Sequence, residues 1–158
     1  ALWPDPSAAR AALIRGAPSA PRGGVARAAS FTIAHPASVG DAPPPLGNRL
    51  FPELAREIFA LEARLRGVDG VDPHRPASAR CAVNADAAFT PHVDAGVGAG
   101  QSRSLLVALG EHDGGDLVVE GTRHAVRYAP VEFDGWHERH WTKPFAGERF
   151  SLVWFTPA

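Results

Sequence analysis

The chain has no methionine, not even at its first position, and only one cysteine among its 158 residues. A missing initiator leads us to expect an excised domain or a processed product. The lone cysteine, Cys81, excludes an internal disulfide framework and a cysteine-rich zinc site. It lies in an apolar strand-like run, where a small buried hydrophobe is the expectation. No apolar run reaches the ~18 residues a membrane span needs, and the first residues do not form a signal peptide. Neither sign of charge dominates: 16 basic and 17 acidic residues leave a formal net charge of −1. No net field therefore favours nucleic acid or an anionic membrane as partner. No internal repeat is visible. These absences leave a soluble, intracellular chain as the expectation. At this length it should form one domain over 1–158 that buries about two-thirds of its unfolded surface.

What is present falls into two parts. Residues 1–50 are rich in Ala, Pro, Arg and Gly, with breakers at Pro18, Pro21, Gly23-Gly24 and Pro43-Pro44-Pro45. Ser7 can cap a short helix that runs to Ile14 and stops at Gly16. Ser30-Phe31-Thr32-Ile33 reads as a short strand, and Pro43 to Gly47 as an extended loop. From Pro52, residues Leu54, Ile58, Leu61 and Leu65 repeat at helical spacing, and Gly67 lies beyond the end. Glu53, Arg56, Glu57, Glu62 and Arg64 would form the wet side of a helix lying against a sheet.

After Arg80 the period changes to two. Strands are predicted near 81–85, 88–93, 103–109, 116–120, 122–128, 131–134, 139–143 and 148–156, with glycine turns at 96–100, 113–115 and 134–135. Ser104–Leu109 and Phe150–Phe155 are nearly continuous apolar runs, as strands buried on both faces should be. Eight short strands with turn signals suit a jelly roll, the cupin-like architecture. The expected fold is mainly β with flanking α: a jelly-roll core over 80–158, supported by one or two helices within 1–79.

His92-Val93-Asp94, a later histidine and Arg149-Phe150-Ser151 carry the chemistry. Two imidazoles and a carboxylate form the 2-His-1-carboxylate set that leaves positions open on a ferrous iron. A strand would place His92 and Asp94 on one face. Either His137 or His140 can complete the set; His140 is favoured, lying four residues before Pro144 and nine before Arg149. Each residue has a plainer reading. His92 follows Pro91 at a strand end, and Asp94 could cap the glycine-rich turn after it. Arg149 could pair with Glu148 or Glu132 at the surface, but its neighbours Phe150, Leu152, Val153 and Trp154 are apolar, and a charge there needs a specific partner. A carboxylate would satisfy its planar fork. His35, His74, His112 and His124 lack spacing and context and read as surface residues. Trp136 and Trp141 flank the site and suit either a substrate wall or the core.

Further segments carry a resemblance. Cys81-Ala82-Val83-Asn84, Ser104 to Gly110, Gly114-Gly115-Asp116-Leu117, Phe133-Asp134-Gly135 and Pro144 to Val153 stand in order around the H-x-D, late-His and R-x-S elements. From about Cys81 to Thr156 the chain resembles a microbial and algal branch of the iron(II)- and 2-oxoglutarate-dependent dioxygenases, which fold as a double-stranded β-helix. The resemblance implies Fe(2+) held by His92, Asp94 and His140, and 2-oxoglutarate held through its distal carboxylate by Arg149 and Ser151. Ser104 and Asn84 would face the same site, though each also reads as a structural polar residue. Dioxygen would be the co-reactant, and succinate and CO2 would leave. The substrate is unread: protein side chains, nucleobases and small metabolites are all oxidised by relatives. Residues 17–50 and 95–102 are the expected substrate-selecting loops. The competing reading is a metal-binding cupin-like module without oxygenase activity, for which Arg149 has no use.

Overall fold

A computed structural model describes residues 29–95 and 101–157. The helix expected from Ser7 to Ile14 and the glycine turn at 96–100 lie outside them, as do parts of both expected substrate loops.

The longest helix forms where the apolar spacing placed it. We label it α2, Pro52–Leu65; α1 is the short helix Leu46–Leu50 before it. Pro52 occupies the first turn with Glu53, and Arg64 the last, so charge complements the helix dipole at both ends. Arg66 leaves the helical region and Gly67 continues at φ +76°, which ends the element. Ala55, Ile58 and Phe59 are buried against Ile33, Cys81, Val83, Leu105, Val107, Leu152 and Trp154. At about 25 cal/mol per Å2 of apolar area removed from water, this helix-on-sheet cluster is the main stabilising layer.

The sheet beneath consists of five antiparallel strands in the order β1-β2-β10-β3-β7: Ala29–Ala34, Arg80–Ala85, Phe150–Phe155, Ser104–Leu109 and Val131–Phe133. Side chains alternate across β3. Leu105 and Val107 meet the helix layer, whereas Leu106 and Ala108 pack with Leu117, Val119, Val126 and Phe133 on the other face. That second face meets a three-stranded sheet in the order β6-β5-β8, made of Thr122–His124, Leu117–Val119 and His140–Thr142. A further pair, β4 (His112–Gly114) with β9 (Phe145–Gly147), closes one end. Two facing antiparallel layers with helices outside one of them form the expected jelly roll. Among the described residues, no helix is long and apolar enough to cross a membrane.

Several local expectations are corrected. No strand forms over 88–93: Asp86 turns the chain at φ +51°, Pro91 lacks a donor, and only a bridge between His92 and His140 remains. The segment stays beside β8, with the Thr142 amide donating to the Phe89 carbonyl at 3.0 Å. In 122–128 the ladder stops at His124, after which the Val126 carbonyl accepts from Ala108 in β3. The final strand starts at Phe150, two residues later than expected, and Phe145–Gly147 forms an additional strand that pairs with His112–Gly114, where a glycine turn was expected. The extended loop yields at Leu46 to α1. Gly47 lies so close to Phe31 and to the Thr32 carbonyl that a Cβ there would sit 2.7 and 2.9 Å from them.

Two polar residues assigned to the surface are inside. Glu62 is 1% exposed and accepts from Ser78 and Arg75. His112 is buried, and His35 and His124 are half-buried. Periodicity cannot show a buried charge that a distant residue, here Arg75, neutralises.

Candidate active site

Backbone pairing, not a shared strand, brings the ligand candidates together. The His92 and His140 amides donate to one another's carbonyls at 3.1 and 2.9 Å, and the Asp94 amide donates to the Gly135 carbonyl at 2.8 Å. One donor atom from each of His92, Asp94 and His140 then lies within 4.8 Å of the others. Asp94 Oδ1 stands 3.6 Å from His92 Nε2 and 3.7 Å from His140 Nε2. His137 is elsewhere, with Nδ1 at 2.8 Å from Asp134 Oδ2 on the exposed turn. Of the two histidines left open by the sequence, the fold brings His140 to the pair.

The imidazoles are set up to use Nε2. His92 Nδ1 lies 2.7 Å from the Thr90 carbonyl, and His140 Nδ1 lies 2.9 Å from that of Glu138. A carbonyl can only accept, so Nδ1 carries the proton in each neutral ring and Nε2 presents a lone pair. Their environments differ. The hydrogen bond to Asp94 raises the His92 pKa, although burial opposes it. Burial lowers that of His140. Two neutral imidazoles and one carboxylate form a set of nitrogen and oxygen donors that fits a divalent first-row cation such as ferrous iron.

These groups open onto a cavity of about 320 Å3. Arg149 lies on its wall, 2% exposed, immediately before β10. Its Nη2 donates to the Gly115 carbonyl at 3.0 Å, its Nη1 to that of Ala87 at 3.4 Å, and its guanidinium carbon sits 5.4 Å over the Phe145 ring. Nε has no partner, and among the described residues no carboxylate is in salt-bridge range. The surface pairing considered for it does not occur, since Glu132 is taken by Arg75. Gly115, at φ +76°, is shaped by this arginine: a Cβ there would meet Arg149 Nε at 2.7 Å. Burial lowers the Arg149 pKa to about 10, which still leaves it charged at neutral pH. A buried cation beside a cavity, held by carbonyls and an aromatic face, fits an incoming carboxylate.

Ser151 and Asn84 also line the cavity, both 2% exposed. Ser104 does not. It opens β3 opposite Phe133, and its unpartnered hydroxyl lies 3.0 Å from where a Cβ on Gly135 would be. Asp94 Oδ2 is 2.5 Å from the same point, so Ser104 lies near the Asp94 carboxylate without lining the cavity. Trp136 and Trp141 both face the cavity, with Phe89, Phe133 and Phe155. Sequence reasoning missed these phenylalanines and Ser30, because each looked like an ordinary strand or loop residue. Only the alternation of β1 hinted at Ser30.

No family model matches this chain, and no curated protein matches its sequence. Solved structures do. A prolyl-4-hydroxylase from Pseudomonas putida superposes with a TM-score of 0.52 at 20% identity, over 96% of this chain and 82% of that one. The structure of OsALKBH1 superposes with a TM-score of 0.50 at 12% identity, over 89% of this chain and 82% of that one. A 2OG-Fe(II) oxygenase family oxidoreductase from Burkholderia pseudomallei covers 94% of this chain and 75% of its own at 22% identity, with a TM-score of 0.46. The chain shares the fold of the Pseudomonas putida prolyl-4-hydroxylase and OsALKBH1 structures.

Proposed function

We propose that this protein is an Fe(II)- and 2-oxoglutarate-dependent dioxygenase that oxidises a substrate still to be identified, with release of succinate and CO2. The observation that carries the reading is the buried, carboxylate-free guanidinium of Arg149 in the same cavity as His92, Asp94 and His140. A metal-binding cupin-like module would need the three ligands but would have no reason to keep a buried guanidinium without a salt bridge beside them. In this reading, His92 Nε2, His140 Nε2 and one Asp94 oxygen hold the iron. Arg149 takes the distal carboxylate of 2-oxoglutarate with Ser151 beside it, and Asn84 completes that wall. Iron, 2-oxoglutarate and dioxygen would supply the oxidising chemistry.

The chain's own contribution is orientation and exclusion of water. The carbonyls of Thr90 and Glu138 keep both imidazoles in the metal-binding tautomer. Phe89, Phe133, Trp136, Trp141 and Phe155 make the remaining wall largely apolar, which strengthens every charged contact inside it. That wall suits an uncharged group on a protein side chain, a nucleobase or a small metabolite. We assign the activity to 1–158 as one domain, with 1–79 in support of 80–158.

Anaerobically purified protein loaded with one equivalent of ferrous iron should bind 2-oxoglutarate in calorimetry. On admission of oxygen it should slowly release succinate, detected by mass spectrometry, even without substrate. Iron binding with no 2-oxoglutarate binding would overturn the oxygenase reading in favour of the metal module.

A further inference from the structure

Three polar side chains form one lateral row across the main sheet. Ser30 in β1 stands opposite Asn84 in β2, and Asn84 stands opposite Ser151 in β10. All three line the cavity. Ser30 Oγ donates to Asn84 Oδ1 at 2.7 Å, and Asn84 Nδ2 donates to Ser151 Oγ at 3.3 Å. The direction of this chain has a consequence. A serine has one proton to give, and Ser30 spends its own on the amide oxygen. The amide must then turn its NH2 toward Ser151. Ser151 thereby accepts from within the sheet, and among the described residues its own proton goes to no protein group. The open direction is the cavity, two residues along the chain from Arg149.

We propose that Asn84 is a positioning residue that acts through Ser151, and that Ser30 fixes the Asn84 amide, so that the Ser151 hydroxyl is held as a proton donor to an anion bound beside Arg149. The inference rests on the proposed use of the cavity for 2-oxoglutarate and goes beyond it in two respects. It removes Asn84 from direct contact with the co-substrate, and it makes a residue of the first described strand part of the site. Arginine offers only hydrogens to the bound group, and a serine that accepts from Asn84 turns its own hydrogen toward that group. A carboxylate accepts all of them, whereas a neutral amide or alcohol would set its own hydrogens against them. The row thus selects for an anionic co-substrate end by hydrogen-bond polarity as well as by charge.

The test uses protein loaded with Mn(II), which allows 2-oxoglutarate binding to be measured by calorimetry without turnover. Asn84→Ala frees Ser151 to rotate and should weaken binding by roughly 3- to 10-fold. Asn84→Asp is nearly isosteric but reverses the polarity. Its carboxylate takes the Ser151 proton, and binding should weaken by roughly 100-fold, more than in the truncated variant. In a Ser151→Ala background, the difference between Asp and Ala at position 84 should shrink to the direct repulsion between two anions, because the hydroxyl that transmits the rest is gone. Ser30→Ala should weaken binding a few-fold, and Ser30→Thr, which keeps the hydroxyl, should restore it. Manganese stoichiometry should remain wild-type throughout.

If Asn84→Asp binds 2-oxoglutarate as well as Asn84→Ala, or keeps its full penalty without Ser151, Asn84 does not act through Ser151. Wild-type affinity in Ser30→Ala would remove Ser30 from the relay. These outcomes presuppose that the wild type binds 2-oxoglutarate; a wild type that does not would overturn the proposed function itself.

Discussion

Single residues at this site are constrained by what they touch, and two of them give direct predictions. The Arg149 fork rests on the Gly115 and Ala87 carbonyls, so its geometry is set before any ligand arrives. Lysine keeps the charge but loses the two-pronged face. Losing one partner of a buried charged hydrogen bond costs about 2–5 kcal/mol, or roughly 30- to several-thousand-fold in affinity. Arg149→Lys should therefore fold and retain iron but bind 2-oxoglutarate weaker by that order in calorimetry; unchanged affinity would remove Arg149 from the site. Gly135 is constrained differently. Its carbonyl accepts the Asp94 amide, and a Cβ would fall 2.5 Å from Asp94 Oδ2 and 3.2 Å from the Phe133 ring. Gly135→Ala should displace the carboxylate and weaken Co(II) binding by about 10- to 100-fold, read from the visible spectrum during titration. The thermal midpoint should change little. Residue types were the most legible level: spacing and the resemblance picked out His92, Asp94, His140, Arg149 and Ser151 as candidates, and the fold brings all five to one cavity. The bridge to His92 is what brings in His140, the histidine already favoured over His137.

At the scale of elements, what reads from one segment alone was legible and what depends on a partner was not. Helix α2 follows from its own apolar repeat and caps. The burial of Glu62 on it does not, because its partners lie far along the chain. Arg75 donates to Glu62 at 3.3 Å, to Glu132 at 3.1 Å and to Ser78 at 2.9 Å, with both ends of the Glu62–Arg75 pair almost fully buried. This network ties α2 to β7. Glu62→Ala leaves a buried guanidinium with one remaining carboxylate, and should cost about 3 kcal/mol, seen as a lower urea midpoint with unchanged slope. A loss below about 0.5 kcal/mol, the range of ordinary surface substitutions, would show that Glu62 behaves as the wet-side residue its position in the repeat suggests. The short strands β4 and β9 escaped the sequence for a related reason: three-residue strands rich in glycine have no period to read, and only their mutual pairing defines them.

For the molecule as a whole, buried histidines couple stability to pH. Burial lowers the His112 pKa below its ordinary 6.5, and its Nε2 has no partner. In metal-free protein, the unfolded chain takes up this proton near pH 6.5 while the folded chain does so only at lower pH. The unfolded state then binds more protons, so stability is full above about pH 6.5 and declines as pH falls toward the folded value. His140, also lowered, adds the same sign, and His92, raised, the opposite. Urea midpoints measured in chelator from pH 7.5 to 5 should fall in the wild type and fall less in His112→Phe. Parallel curves for the two proteins would show that His112 does not titrate across folding.

The sequence by itself determined the fold class, helix α2, the strands with a clear two-residue period and which residues were candidates for a site. These depend on local spacing, which survives without knowledge of the partner. Tertiary structure alone decided that Arg149 is buried without a salt bridge, that Glu62 is inside, and that Ser30 joins Asn84 and Ser151. Each of those is a contact between residues far apart in the chain, and contacts of that kind are set by packing and register rather than by any local pattern.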